Sequence, residues 1–193
     1  MVTDDSSSLL RRARDGSREA LNTLLADCGG RVNAFIRLRL GPGLRGQVES
    51  SDVLQLTLLR AFQNIEQFEG ASRRSLVAWL VAIAQNVIRD EAEFAHRQRR
   101  DVRKNVPIGE DAETLVAEVR SEVSKLIVKE ETRRLEEAME RLEPLHREVI
   151  LLRKYEELRF AEIGARLGKS PDASRMLLAR AMTALADTMR EAS

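Results

Sequence analysis

The chain has 193 residues, of which 43% are hydrophobic and 33% charged, a balance suited to small helical cores with wide charged faces. Aromatic residues make up only 4% and there are four prolines, so a β-sandwich is disfavoured and helices built from Ala, Leu, Glu and Arg are expected. The net charge of +1 excludes a uniformly basic polyanion binder; any nucleic-acid contact must rest on local positive charge. The single cysteine, Cys28, cannot form an intrachain disulfide and lies in an amphipathic stretch, where a core thiol is expected. No apolar run reaches the roughly 20 residues of a membrane span, so no membrane insertion is expected. Residues 1–8 are polar and acidic, without a basic segment leading into an apolar one, and the expected location is the cytoplasm.

In chain order, Leu9, Leu10 and Ala13 mark a short first helix, interrupted at Asp15-Gly16. Ser17 is placed to cap a second helix. Its apolar positions Leu21, Leu24, Leu25, Cys28, Val32, Phe35, Ile36 and Leu40 step by three and four and predict one buried face. Gly41-Pro42-Gly43 stops it. A third helix is predicted with Ser50 or Ser51 as its cap and a stripe of Val53, Leu54, Leu58, Leu59 and Phe62. Residues 68–75 read as a loop. A fourth helix follows, with Leu76, Leu80, Ile83, Ala84, Val87 and Ile88 inward, and runs out into the basic stretch 96–100.

Between residues 101 and 124 the periodicity weakens; Pro107, Gly109 and acidic residues suggest a tether, with an extra packed helix over 114–128 as the alternative. Leu135, Ala138 and Leu142 mark the next helix, and Pro144 suits the first turn of another through Leu152.

The strongest local pattern spans residues 160–185. A short helix ends at Gly168 and a longer one starts at Ser170, with Ser170 as cap, Pro171 at the first helical position and Asp172 near the positive helix end. Small Ala161 and Gly164 allow close approach, and Ile163, Leu167, Leu177 and Leu178 are the expected core beneath the turn. This is a helix-turn-helix pattern, in which the second helix enters the major groove of DNA. Ser170, Asp172, Ser174 and Arg175, with Arg180 farther along, are the candidate contacts to bases or phosphates. Taken alone, the pattern also suits a helical hairpin with a solvated basic face.

The wider chain resembles the sigma factors of RNA polymerase. Residues 142–153 (LEPLHREVILLR) are similar to the opening of sigma region 4, 158–164 (LRFAEIG) to its central segment, and 174–181 (SRMLLARA) to its recognition helix. Residues 52–62 (DVLQLTLLRAF) resemble the region 2 motif DLVQETFLRAF, and 79–86 (WLVAIAQN), with Asp90 beyond, resembles WLxxIAxNxxxD. Two such modules in this order, with no third module between them, resemble the extracytoplasmic-function group. The resemblance implies an all-α fold of two small helical domains: region 2 over residues 1–100, a flexible linker over 101–128, and region 4 over 129–193.

It also implies roles. Asp52, Gln55 and Arg60 would face the clamp coiled coil of the β′ subunit of core RNA polymerase, and region 4 would meet the β flap. Phe68, Ser72, Arg73 and Asn86 would read the -10 element of promoter DNA as an unstacked single strand. Arg97, Arg99 and Arg100 would hold backbone phosphates. Ser170, Asp172, Ser174, Arg175 and Arg180 would read the -35 duplex. An anti-sigma factor is a further partner that the family allows. The chain departs from the family pattern at Leu56-Thr57, at Leu76, at Glu93, at the extra Arg73-Arg74, and at Ala173, Leu177 and Met182.

The bland readings are concrete: Trp79 and Phe68 as packing residues, Asn86 as helix-face solvation, and the basic cluster 97–104 as a solvated helix end. Two E-x-x-H matches, at Glu93/His96 and Glu143/His146, are compatible in spacing with a bundle metal site. The second holds a proline at a helix start and the first runs into a basic tail, so no metal and no cofactor are expected. No catalytic constellation is present and no enzymatic activity is expected; in a sigma factor the polymerase performs the chemistry. The alternative function is a helix-turn-helix regulator that binds duplex DNA without core polymerase.

Overall fold

The structure, a computed structural model, describes residues 3–44, 48–97 and 130–191. They fall into two compact units, within Met1–Ile127 and Val128–Ser193. The described secondary structure is helical, as the all-α expectation holds, with no strand among the described residues. No described helix is long and apolar enough to cross a membrane. The expected linker, residues 101–128, lies outside the described residues, as does the alternative helix there.

The first unit contains α1 (Thr3–Arg14), α2 (Arg18–Leu44), α3 (Ser50–Asn64), a 3-10 turn (Ile65–Gln67) and α4 (Arg73–Arg97). α1 begins at Thr3, several residues before its first leucine. The Ser17 cap is present: its Oγ accepts the Ala20 N–H at 3.3 Å. α2 packs against α1, α3 and α4, and this explains a departure from the single-face reading. Val32, Asn33, Ala34, Phe35 and Ile36 are buried consecutively, which only a helix with neighbours on several sides requires. At Gly41 the backbone leaves helical geometry (φ 57°, ψ 175°), where the Gly-Pro-Gly sequence predicts a stop.

Neither Ser50 nor Ser51 caps α3. The N-cap is Glu49, with no side-chain cap bond, and both serines lie within the first turn. On α4, the structure adds Val77 and Val81 to the buried side and leaves Ile83 at its margin. Phe35, Leu24, Leu25, Leu58, Leu76 and Leu80 form the core, each worth about 1.5–3 kcal/mol of apolar burial.

The second unit contains α5 (Glu130–Arg141), α6 (Pro144–Lys154), α7 (Phe160–Leu167) and α8 (Pro171–Glu191). Pro144 occupies the first turn of α6, as the sequence predicts. Val149, Ile150, Leu151 and Leu152 are all buried, with Met139, Ile163, Ala181 and Leu185 completing the core. Arg147 closes the C-terminal end of α5. Its guanidinium donates to the carbonyls of Met139 (3.0 Å), Glu140 (2.7 Å) and Leu142 (3.3 Å), groups a helix end leaves without intrahelical partners.

Candidate functional site

In the second unit the turn between α7 and α8 is fixed by three local devices. Gly168 sits at φ 63°, ψ 37°, the left-handed conformation that closes α7. A Cβ on Gly164 would lie 2.5 Å from the Lys169 carbonyl oxygen, so only glycine lets the turn fold back onto α7. Ser170 Oγ accepts the Ala173 N–H at 3.1 Å and starts α8. At the other end of α7, the Glu162 carboxylate accepts the Arg159 N–H at 2.6 Å, a bond that holds its pKa below the ordinary glutamate value.

α8 turns Ser174, Ala181 and Leu185 inward and leaves Asp172, Ala173, Arg175, Met176, Ala179 and Arg180 exposed. Ser174 therefore needs correction as a DNA contact. It is fully buried, and its hydroxyl donates to the Ser170 carbonyl at 3.0 Å. Arg175 forms an ion pair with Asp172 at 2.7 Å and lies over the Phe160 ring, 5.2 Å from the centroid. Arg153 lies over the same ring, also at 5.2 Å, and donates to the Leu158 carbonyl. Phe160 thus links the end of α6, the start of α7 and the first turn of α8.

In the first unit, Asp52 is exposed in the first turn of α3, where a carboxylate also complements the helix dipole. Gln55 is half-buried one turn on. Arg60 pairs with Asp90 of α4 at 2.9 Å, so its guanidinium braces two helices as well as facing solvent. Thr57 is buried and donates to the Val53 carbonyl; it presents nothing to a partner.

The loop before α4 is shorter than the sequence suggests, because Arg73, Arg74 and Ser75 already belong to the helix. Ser72 is its cap. Ser72 Oγ accepts the Ser75 N–H at 3.0 Å, and the Ser72 N–H donates to Ser75 Oγ at 3.1 Å. Phe68 also needs correction as a surface that an unstacked base could meet. Its side chain is 4% exposed, with the ring 5.3 Å from that of Trp79. The bland packing reading holds for it. Arg14 of α1 secures this corner, with its guanidinium over the Phe68 ring at 5.3 Å and a hydrogen bond to the Gly70 carbonyl.

Arg73 binds back to α2, with Asp27 Oδ2 at 2.9 Å and the Asp27 carbonyl at 3.1 Å. Beneath it Cys28 is buried, and loss of hydration pushes its thiol pKa up, only partly opposed by Arg73. Asn86 is exposed and accepts a hydrogen bond from Arg89. Asn86 lies fourteen positions beyond Ser72, the cap of α4, a distance of about 20 Å at 1.5 Å per residue, so the two do not share one pocket. The side chain of Arg97, and Arg99 and Arg100 altogether, lie outside the described residues.

Sequence reasoning misses Arg14, whose role exists only through tertiary contact with residues 68–70. It passes over Phe160 as a site organiser, and over Met176, which helical arithmetic from Ser174 and Ala181 places on the outward face.

Comparison with known proteins bears on the whole chain. Residues 28–101 match the model of Sigma-70 region 2, and residues 132–185 match that of Sigma-70, region 4. The RNA polymerase sigma factor CarQ of Myxococcus xanthus is 31% identical over 182 residues, covering 94% of this chain and 96% of that protein. The ECF RNA polymerase sigma factor SigF of Caulobacter vibrioides is 31% identical over 185 residues, covering 96% and 94%. Among solved structures, CnrH in complex with the cytosolic domain of CnrY aligns with a TM-score of 0.49 at 24% identity, covering 98% of this chain and 100% of that one. With both regions matched and relatives aligned along nearly its full length, this chain belongs to the extracytoplasmic-function family of RNA polymerase sigma factors.

Proposed function

We propose that the first unit docks on core RNA polymerase through the outer face of α3, with Asp52, Gln55 and Arg60, and engages the -10 strand along α4. In this reading Asn86 supplies a donor and an acceptor to an unstacked base, and Ser72 and Arg73 meet the strand at the other end of the helix. The second unit reads the -35 duplex through the first turns of α8, with Ser170, Asp172, Arg175 and Arg180. The observation that supports it most is the turn built by Gly164, Gly168 and Ser170, which leaves the outward face of α8 open beside an arginine already fixed in position.

The test is run-off transcription with core polymerase and this chain on genomic templates. Promoter-dependent transcripts that weaken with Asn86→Ala and with Arg175→Ala support the reading. Absence of any such transcript, with the chain binding duplex DNA equally well without core, favours a regulator that acts alone.

A further inference from the structure

We propose that Met176 is a specificity-determining residue that reads thymine through its 5-methyl group. The inference rests on the second unit's reading of duplex DNA and extends it to one side chain and one chemical group. With Ser174, Ala181 and Leu185 buried, the opposite line of α8 runs at 100° per residue through Asp172, Met176, Ala179 and Thr183. Met176 is 59% exposed, the most exposed large hydrophobic residue among those described.

Met176 stands between small side chains on its own helix. Ala173 and Ala179 flank it and carry no hydrogen-bonding group. Asp172 and Arg175, the polar side chains of the same turn, are paired with each other, and Arg175 also rests on Phe160. Asp172, on the same line, is neutralised by Arg175, and the alanines at 173 and 179 leave the thioether of Met176 standing clear between polar neighbours, with Arg180 one turn on. In the major groove thymine alone presents a methyl group, and apolar side chains recognise it by contact. Methionine, unbranched and polarizable, fits such a contact without demanding one backbone position.

The test uses holoenzyme reconstituted from the full chain and core polymerase. A duplex library randomised upstream of the start site is selected for binding, and the enriched -35 sequence is synthesised with each thymine replaced in turn by deoxyuridine. Wild type is expected to lose about four-fold in affinity at one or two positions, the share of one buried methyl group. Met176→Ala is expected to bind the thymine duplex as weakly as wild type binds the uracil duplex and to ignore the methyl; Met176→Leu restores the discrimination. A wild type indifferent to every replacement, or a Met176→Ala that still discriminates, overturns the assignment while leaving duplex recognition standing. A selection that enriches no upstream sequence overturns the duplex reading itself.

Discussion

The guanidinium of Arg175 lies over the aromatic ring of Phe160, 5.2 Å from its centroid, so the first turn of α8 is braced by the first residue of α7. Arg153 uses the same ring. Cation–π contacts contribute about 0.5–1 kcal/mol each at exposed sites, and Phe160 makes two. Phe160→Leu keeps apolar volume and removes both. We expect a loss of about 1–2 kcal/mol in denaturant unfolding of the full chain, together with weaker -35 binding. A variant that unfolds like wild type and binds unchanged contradicts the bracing role.

Arg147 satisfies three carbonyls at the end of α5. Hydrogen bonds from a charged donor contribute about 1.5–3 kcal/mol, and removing the guanidinium leaves those acceptors at a partly buried helix end. Arg147→Ala is expected to destabilise the chain by about 2–3 kcal/mol in urea denaturation. Arg147→Lys recovers part of this, because a point charge cannot serve the fork of acceptors.

At Gly70 a Cβ would lie 2.4 Å from the Phe68 ring and 2.5 Å from Ser75 Oγ. Gly70→Ala forces the ring or the α4 cap to move, at a cost of about 1–3 kcal/mol. Because the same corner precedes Ser72 and Arg73, the variant is expected to lose transcription from duplex templates more than from templates already unpaired at -10. Equal loss on both contradicts a link between the loop and strand capture.

The lowered pKa of Glu162 comes first from the Arg159 N–H that its carboxylate accepts. A carboxyl depressed in the folded state contributes stability that is present above its unfolded value, near 4.5, and is lost as pH falls through the folded value. The start of α7 is therefore expected to weaken in the acid range below pH 4.5. Glu162→Gln removes that pH dependence, readable as the difference between wild-type and variant melting temperatures across the range.

Local chemistry was legible in advance where it is self-contained. Ser170, Pro171 and Asp172 announce the start of α8, and Gly168 the end of α7, because cap and turn preferences act over a few residues. Burial set by partners far along the chain was not. The sequence offers packing as one reading of Phe68 but does not reveal Arg14 as its partner, and Ser174 reads as an exposed polar residue until the turn folds back onto α7. The width of the buried surface on α2 depends on three neighbours that no periodicity within α2 reveals. Ser50 and Ser51 show the limit even locally, since Glu49 with no side-chain bond starts α3 instead.

The most direct measurement of the central claim is retention of the full chain on core polymerase and on promoter duplex, each alone and together, with run-off transcription as the readout. We expect stable binding to core, tight promoter binding only with core, and transcripts that diminish with Arg175→Ala. Equal promoter binding with and without core, and no transcript, would contradict it.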